Sequence, residues 1–187
     1  AALRTSTTAS PPMLNDGMPV LVVTGAKQLQ VLDMLNQQFP GRFLSPVMTT
    51  TRPPHRSERP GITMNFVTVE MINDDIRGGR YFESGASTEV GCKGELIGTT
   101  LEAVARIRAT GAVPLLHVSY ERAISARTCG KIKPASYAIL VCSENEPPQQ
   151  EHRSSFDKLI YAKSLDQVLA ELVAVIKKMF PTLARAS

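Results

Sequence analysis

Three arginines, a histidine and a glutamate fall within Arg52-Pro53-Pro54-His55-Arg56-Ser57-Glu58-Arg59, preceded by Thr49-Thr50-Thr51 and followed by Pro60-Gly61. Guanidinium groups at this density can hold a phosphate or a carboxylate through charge-assisted, often bidentate, hydrogen bonds. Arg52 and Arg56 are the candidates for that role. Alternatively, Arg52 ties down its own proline-rich loop. His117 could serve as a base only with a carboxylate to orient it; none is evident in the sequence, which favours a satisfied, buried histidine. The cysteines Cys92, Cys129 and Cys142 form no CxxC pair. Their odd number and wide spacing argue for reduced thiols rather than a disulfide framework or a zinc site.

The elements around these residues alternate. Pro19–Val23 is a short apolar run rich in β-branched residues, as expected of a buried parallel strand. Leu29, Val31, Leu32 and Leu35 follow at helical spacing, and Phe39-Pro40-Gly41 ends that helix. Arg42–Val47 reads as a second strand, and 48–61 as a polar loop. Met64–Val67 reads as a short strand. Thr68 then caps a helix that stops at Gly78-Gly79. Residues 80–97 are β-rich. Thr99 with Glu102 makes a capping-box pattern. Val113–Val118, Tyr137–Cys142 and Phe156–Ala162 read as strands, and Tyr120–Thr128 as a helix. Ser164 with Gln167 opens a last helix whose apolar face includes Leu165, Val168, Leu172 and Ile176. Alternating strands and helices imply a parallel sheet covered on both faces.

Thr50-Thr51-Arg52-Pro53-Pro54, followed by Glu58, Gly61 and Asn65-Phe66-Val67, resembles the nucleotide-monophosphate grip of guanylate kinases. Gly98-Thr99-Thr100 is similar to the Gly-Thr-Ser that closes their GMP-binding region. The similarity covers roughly residues 18–180. It implies a P-loop-NTPase-like α/β fold with a parallel sheet flanked by helices, a small β-rich insertion at 61–98 and a reduced lid. Residues 1–17 would be a flexible tail and 18–187 the domain.

Family chemistry would need a phosphate loop G-x-x-x-x-G-K-[ST], a GMP site and a mobile helical lid bearing arginines. The residues matching the loop are Gly25 to Leu32. Gly25 is kept. Gln30 stands at a required glycine, Val31 at the lysine and Leu32 at the Mg²⁺-holding hydroxyl; Lys27 lies four positions early. Leu29, Val31 and Leu32 read as core. In the acceptor site Arg52, Glu58 and Thr99 match family positions. His55 stands at the second arginine, with Arg56 as a stand-in. Met48 replaces a serine, and Met64 and Leu96-Ile97 stand where tyrosines would be. Glu89 is a candidate base-reading acid, across an insertion around Gly85–Gly91. His117 and Ser119 replace two aspartates. The segment between Cys142 and Phe156, with the single Arg153, is too short for the lid.

The expectation is therefore a pseudoenzyme without ATP or Mg²⁺, working as a protein–protein interaction or structural subunit of a larger assembly. Related scaffold domains of the membrane-associated guanylate kinases have lost activity in a comparable way, and some resemble phosphopeptide readers. A divergent GMP kinase or a weak nucleotide or phosphopeptide sensor is the alternative.

Composition bounds the remainder. The 187 residues suffice for one α/β domain with a full core. A net charge of +4, scattered along the chain, argues against a nucleic-acid partner but leaves one open. No apolar run reaches the ~20 residues that span a bilayer. Residues 1–15 carry one arginine, no acid and five Ser/Thr. That is tail composition and also resembles the remnant of an organelle-targeting segment. Mitochondrial or other organellar placement is thus slightly favoured over cytoplasmic or cytoskeletal.

Overall fold

The computed structural model of the chain describes residues 17–26, 28–143, 154–161 and 164–181. Nine strands and five helices are placed among these residues. In chain order they are β1 (Leu21–Gly25), α1 (Gln28–Gln38), β2 (Phe43–Leu44), β3 (Thr49–Thr50), β4 (Asn65–Phe66), α2 (Val69–Arg77), β5 (Tyr81–Ala86), β6 (Leu96–Thr100), α3 (Leu101–Ala109), β7 (Val113–His117), α4 (Tyr120–Thr128), β8 (Tyr137–Cys142), β9 (Lys158–Tyr161) and α5 (Leu165–Met179).

The main sheet has the order β2-β7-β1-β8-β9, and every neighbouring pair is parallel. Its central strands are buried on both faces, which is why they read as unbroken apolar runs instead of alternating ones. The two-residue period still sorts their side chains. Leu21, Val23, Leu115, Ile139 and Val141 join one core cluster. Val20, Val22, Leu116, Ala138 and Leu140 join the other.

Helices α1 and α5 cover the first face. Val31, Leu32 and Leu35 enter it from α1, and Val168, Leu172 and Ile176 from α5. Full burial of such a side chain stabilises by about 1.5–3 kcal/mol. Leu101 and Val104 of α3 and Ala123 and Ala126 of α4 cover the second face.

A second sheet, β4-β3-β6-β5, is mixed. β3 and β4 are parallel, while β6 runs antiparallel to both β3 and β5. It takes in strands from Thr49 to Thr100 and presents the arginine-rich loop.

Four local expectations shift. The segment 48–61, read as a polar loop, begins with strand β3 at Thr49–Thr50, which pairs with β4 and β6. The strand read over Arg42–Val47 is only Phe43–Leu44, because Pro46 has no N–H for a ladder. The cap of α3 is Thr100, whose Oγ accepts from Ala103 N at 3.1 Å. Thr99 is still inside β6, paired to Glu83, so its hydroxyl is not free to cap. Leu29, read as core, is 62% exposed. It sits in the first turn of a helix entered two residues after its strand, past the cover of the sheet. The caps read at Thr68 and Ser164 are in place, accepting from Met71 N and Gln167 N.

Candidate functional site

The side chains that could do chemistry form two clusters on the second sheet. Arg52 follows β3, its guanidinium 5.7 Å from the Phe66 ring of β4. It is 4% exposed, and all three of its nitrogens are engaged. Nη1 and Nη2 donate to Oε2 and Oε1 of Glu58, each at 2.7 Å, a two-pronged fork. Nη1 also reaches Pro53 O at 3.1 Å, and Nε donates to Oε2 of Glu89 at 2.7 Å.

Glu58 accepts in addition from His55 N at 2.8 Å. The second oxygen of Glu89 lies 2.9 Å from His55 Nε2. One buried cation therefore holds two carboxylates, one from its own loop and one from the hairpin joining β5 to β6. The fork with Arg52 and the His55 N–H lower the Glu58 pKa from 4.5 to about 2. Glu89 is also lowered, first by His55 and then by Arg52. Arg52 is held more firmly protonated, chiefly by Glu58.

Arg56 is exposed and has no ion-pair partner among the described residues. It is His55, not Arg56, that the fold turns into the cluster.

The second cluster is deeper. Strand pairing sets Glu83 of β5 opposite Thr99 of β6. Thr99 Oγ1 donates to Glu83 Oε1 at 2.7 Å. From α4, Arg122 donates through Nε to Oε2 at 2.7 Å and through Nη2 to Oε1 at 2.6 Å. Arg122 and Glu83 are 7% and 0% exposed. A Cβ on Gly85 would lie 2.9 Å from Arg122 Cγ, so the missing side chain gives the arginine its path over the strand. The pair binds the second sheet to a helix of the main body.

Glu83 and Arg122 were missed in the sequence. An acid following buried Tyr81 and Phe82 in a strand was the available signal for Glu83. Arg122 carried none. Glu89, read as the candidate base-side acid, lies instead on Arg52, and the carboxylate beside Thr99 is Glu83. The β5–β6 register decides this.

Among its described residues, the turn after β1 holds no comparable polar group. The connection from Gly25 to Gln28 is two residues, of which Lys27 lies outside the described residues. Ala26 N donates to Val141 O at 2.9 Å. Gly25 has φ +101°, and a Cβ there would lie 2.2 Å from Val141 O. Its presence thus has a packing reason independent of phosphate. Gln30 is exposed on α1, whereas Val31 and Leu32 are 1% and 8% exposed in the core.

His117 ends β7 beside a cavity of about 10 Å³, bounded also by Ser45, Pro46 and Met48, with room for about one water. Burial, then the positive charge of Arg122, pushes its pKa down. Most of the 143–155 link, with Arg153, lies outside the described residues.

The guanylate kinase family profile matches residues 17–147. The chain belongs to the guanylate kinase family. Over 154 residues it is 33% identical to MAGUK p55 subfamily member 3 of Mus musculus, across 80% of this chain and 25% of that protein. It is 26% identical to Protein lin-2 of Caenorhabditis elegans over 170 residues, 83% of this chain and 17% of that one. Guanylate kinase 1 of Arabidopsis thaliana matches at 27% over 56% of this chain and 26% of its own length. The chain thus spans about a quarter or less of each of these curated relatives. The solved guanylate kinase of Anaplasma phagocytophilum superposes with a TM-score of 0.56, 16% identity and 91% coverage of both chains, which shows the guanylate kinase fold.

Proposed function

We propose that this guanylate-kinase-like domain is non-catalytic, binds neither ATP nor Mg²⁺, and acts as a protein–protein interaction or structural subunit of a larger assembly. The observation that carries the reading is the turn after β1. Anion binding by a phosphate loop needs several backbone N–H groups wrapped around the phosphates, a lysine and a hydroxyl. Here α1 begins two residues after the strand, Ala26 N is spent on Val141, and Val31 and Leu32 pack into the core. Phosphoryl transfer is catalysed mainly by positioning and charge stabilisation, so losing these groups removes the catalyst itself. The MAGUK p55 relatives support an interaction role, since scaffold domains of the membrane-associated guanylate kinases have lost activity in a comparable way.

A coupled assay with ATP, Mg²⁺ and GMP tests the first half. No GMP-dependent turnover is expected; turnover abolished by Lys27→Ala would sink the reading. Cross-linking in native extract tests the second half. Reproducible protein neighbours are expected, and recovery of isolated monomer alone would overturn it.

A further inference from the structure

The second sheet has a strand with one side unused. β5 pairs with β6 alone. Among the described residues it is the longest edge strand of either sheet, six residues against two in β2 and β4 and four in β9. The hydrogen-bonding pattern fixes which of its main-chain groups are spare. Ser87 N donates to Glu95 O, and the register sets Gly85 opposite Ile97 and Glu83 opposite Thr99, so these alternate residues bond across to β6. Leu96, opposite Ala86, turns its carbonyl the other way, to Thr51 N. The N–H and C=O groups of Ser84 and Ala86 therefore point away from the sheet. No hydrogen bond to either residue from outside the sheet is found among the described residues. Helix α4 packs on the face of β5 that carries Glu83, through Arg122. Beside the strand lies a cavity of about 300 Å³, bounded by Tyr81–Ser84, by Thr128–Lys131 at the end of α4 and by Ile76. Four consecutive strand residues line it, so it runs along the strand and not over one face.

We propose that this edge of β5 docks an extended segment of a partner protein, which adds as a further strand and brings an acidic side chain to Lys131. Spare N–H and C=O groups on alternate residues are matched by the main chain of another strand, and the cavity beside them receives its alternate side chains. Ile76, Tyr81 and Phe82 give that cavity an apolar wall. At its end Lys131 donates to Gly79 O and has no carboxylate partner among the described residues. A carboxylate there gives the ammonium a charged acceptor in place of a neutral one. The same charge argues against a second copy of this chain as the occupant. Glu83 is the one acid of β5, and its oxygens are taken by Arg122 and Thr99. A second β5 therefore brings no free carboxylate to Lys131. The proposal rests on the interaction reading and names the surface and the chemistry of that interaction.

Hydrogen exchange of the full chain tests the free edge. The amides of Ser84 and Ala86 should exchange fast and that of Gly85 slowly; slow exchange of the first two would overturn the proposal. The probe for docking is a displayed library of random linear peptides selected on the full chain. Selected peptides should pair an acidic residue with β-branched or aromatic ones and should slow exchange at Ser84 and Ala86. Ala86→Pro removes an outward N–H at a position where an edge strand accepts proline, and should weaken those peptides about tenfold, as one lost hydrogen bond does. Lys131→Met should weaken them severalfold and reduce the salt dependence of binding. Lys131→Met and the exchange measurement decide the matter if Ala86→Pro folds poorly. No selected binder, or binding indifferent to both variants, would overturn the proposal. So would a concentration-dependent dimer in sedimentation that Ala86→Pro abolishes, since the occupant would then be a second copy. Cross-linked neighbours in native extract that all survive Ala86→Pro would sink the proposal and leave the interaction reading standing. Recovery of isolated monomer alone would overturn both.

Discussion

The turn after β1 and the loop after β3 differ from the family's residue pattern in opposite ways. After β1 the polar positions have become core: Val31 and Leu32 are buried against the main sheet. After β3 the charge of Arg52 remains but is satisfied internally by Glu58 and Glu89, and on β5 of the same sheet Glu83 is satisfied by Arg122 and Thr99. The first change lets α1 start at once and pack along its length. The second stitches the smaller sheet together and fixes it to α4. One region has its polar positions replaced by core residues, and the other has its charges paired within the chain.

The pairing should carry the largest stability effect. Removing one partner of a buried ion pair strands the other, at a cost of about 3–5 kcal/mol. Arg122→Ala or Glu83→Ala should therefore lower the denaturation midpoint severely. Replacing both, as Glu83→Leu with Arg122→Met, should recover most of the loss, because no charge remains buried. If the double variant is as unstable as the singles, the arginine matters for packing and not for charge.

Reversing the replacement after β1 should cost slightly less. Val31→Lys restores the lysine of the phosphate-loop pattern but places an ammonium where Val31 is 1% exposed. Burying an unpaired charge without a partner should destabilise by about 3 kcal/mol. ATP with Mg²⁺ should not offset it. A thermal shift with ATP in this variant would mean that the turn still forms a phosphate cradle, and the contrast between the two regions would collapse.

Gly25→Ala separates packing from phosphate at the same turn. A Cβ would meet Val141 O at 2.2 Å, and φ is +101°. A side chain in that backbone region costs on the order of 1–3 kcal/mol before the clash is counted. The expected outcome is a lowered melting temperature, equal with and without nucleotide.

These residues also show where reading the sequence runs out. β1, β7 and β8 were legible because burial on both faces makes an apolar run, and the replacement of polar loop residues by Val31 and Leu32 was legible because residue type alone reports it. The Arg52–Glu58 fork joins groups in one short loop, so it was within reach as the loop-tying alternative. Glu89 on Arg52 and Arg122 on Glu83 join residues 37 and 39 apart. Their pairing depends on the β5–β6 register and the placement of α4, which no local pattern encodes. The same register moved the α3 cap from Thr99 to Thr100, because Thr99 had a buried acid opposite it.

The smallest effect is a pH dependence, and it distinguishes the loop carboxylate from the hairpin carboxylate. Glu58 has its pKa lowered from 4.5 to about 2. A depressed carboxylate stabilises the fold fully above its unfolded value, and the contribution fades as pH falls from about 4.5 towards 2. Arg52 and the His55 N–H face Glu58, with Glu89 on the same guanidinium, and Glu89 is itself lowered. Both carboxylates therefore contribute acid sensitivity of the same sign. Urea midpoints measured between pH 2 and 5 should fall less steeply for Glu58→Gln than for the unchanged chain. Glu89→Gln should flatten the curve less, because it removes one bond to Arg52 and leaves the two-pronged fork intact. A curve flattened more by Glu89→Gln than by Glu58→Gln would reverse the order, making the hairpin carboxylate the stronger anchor of Arg52.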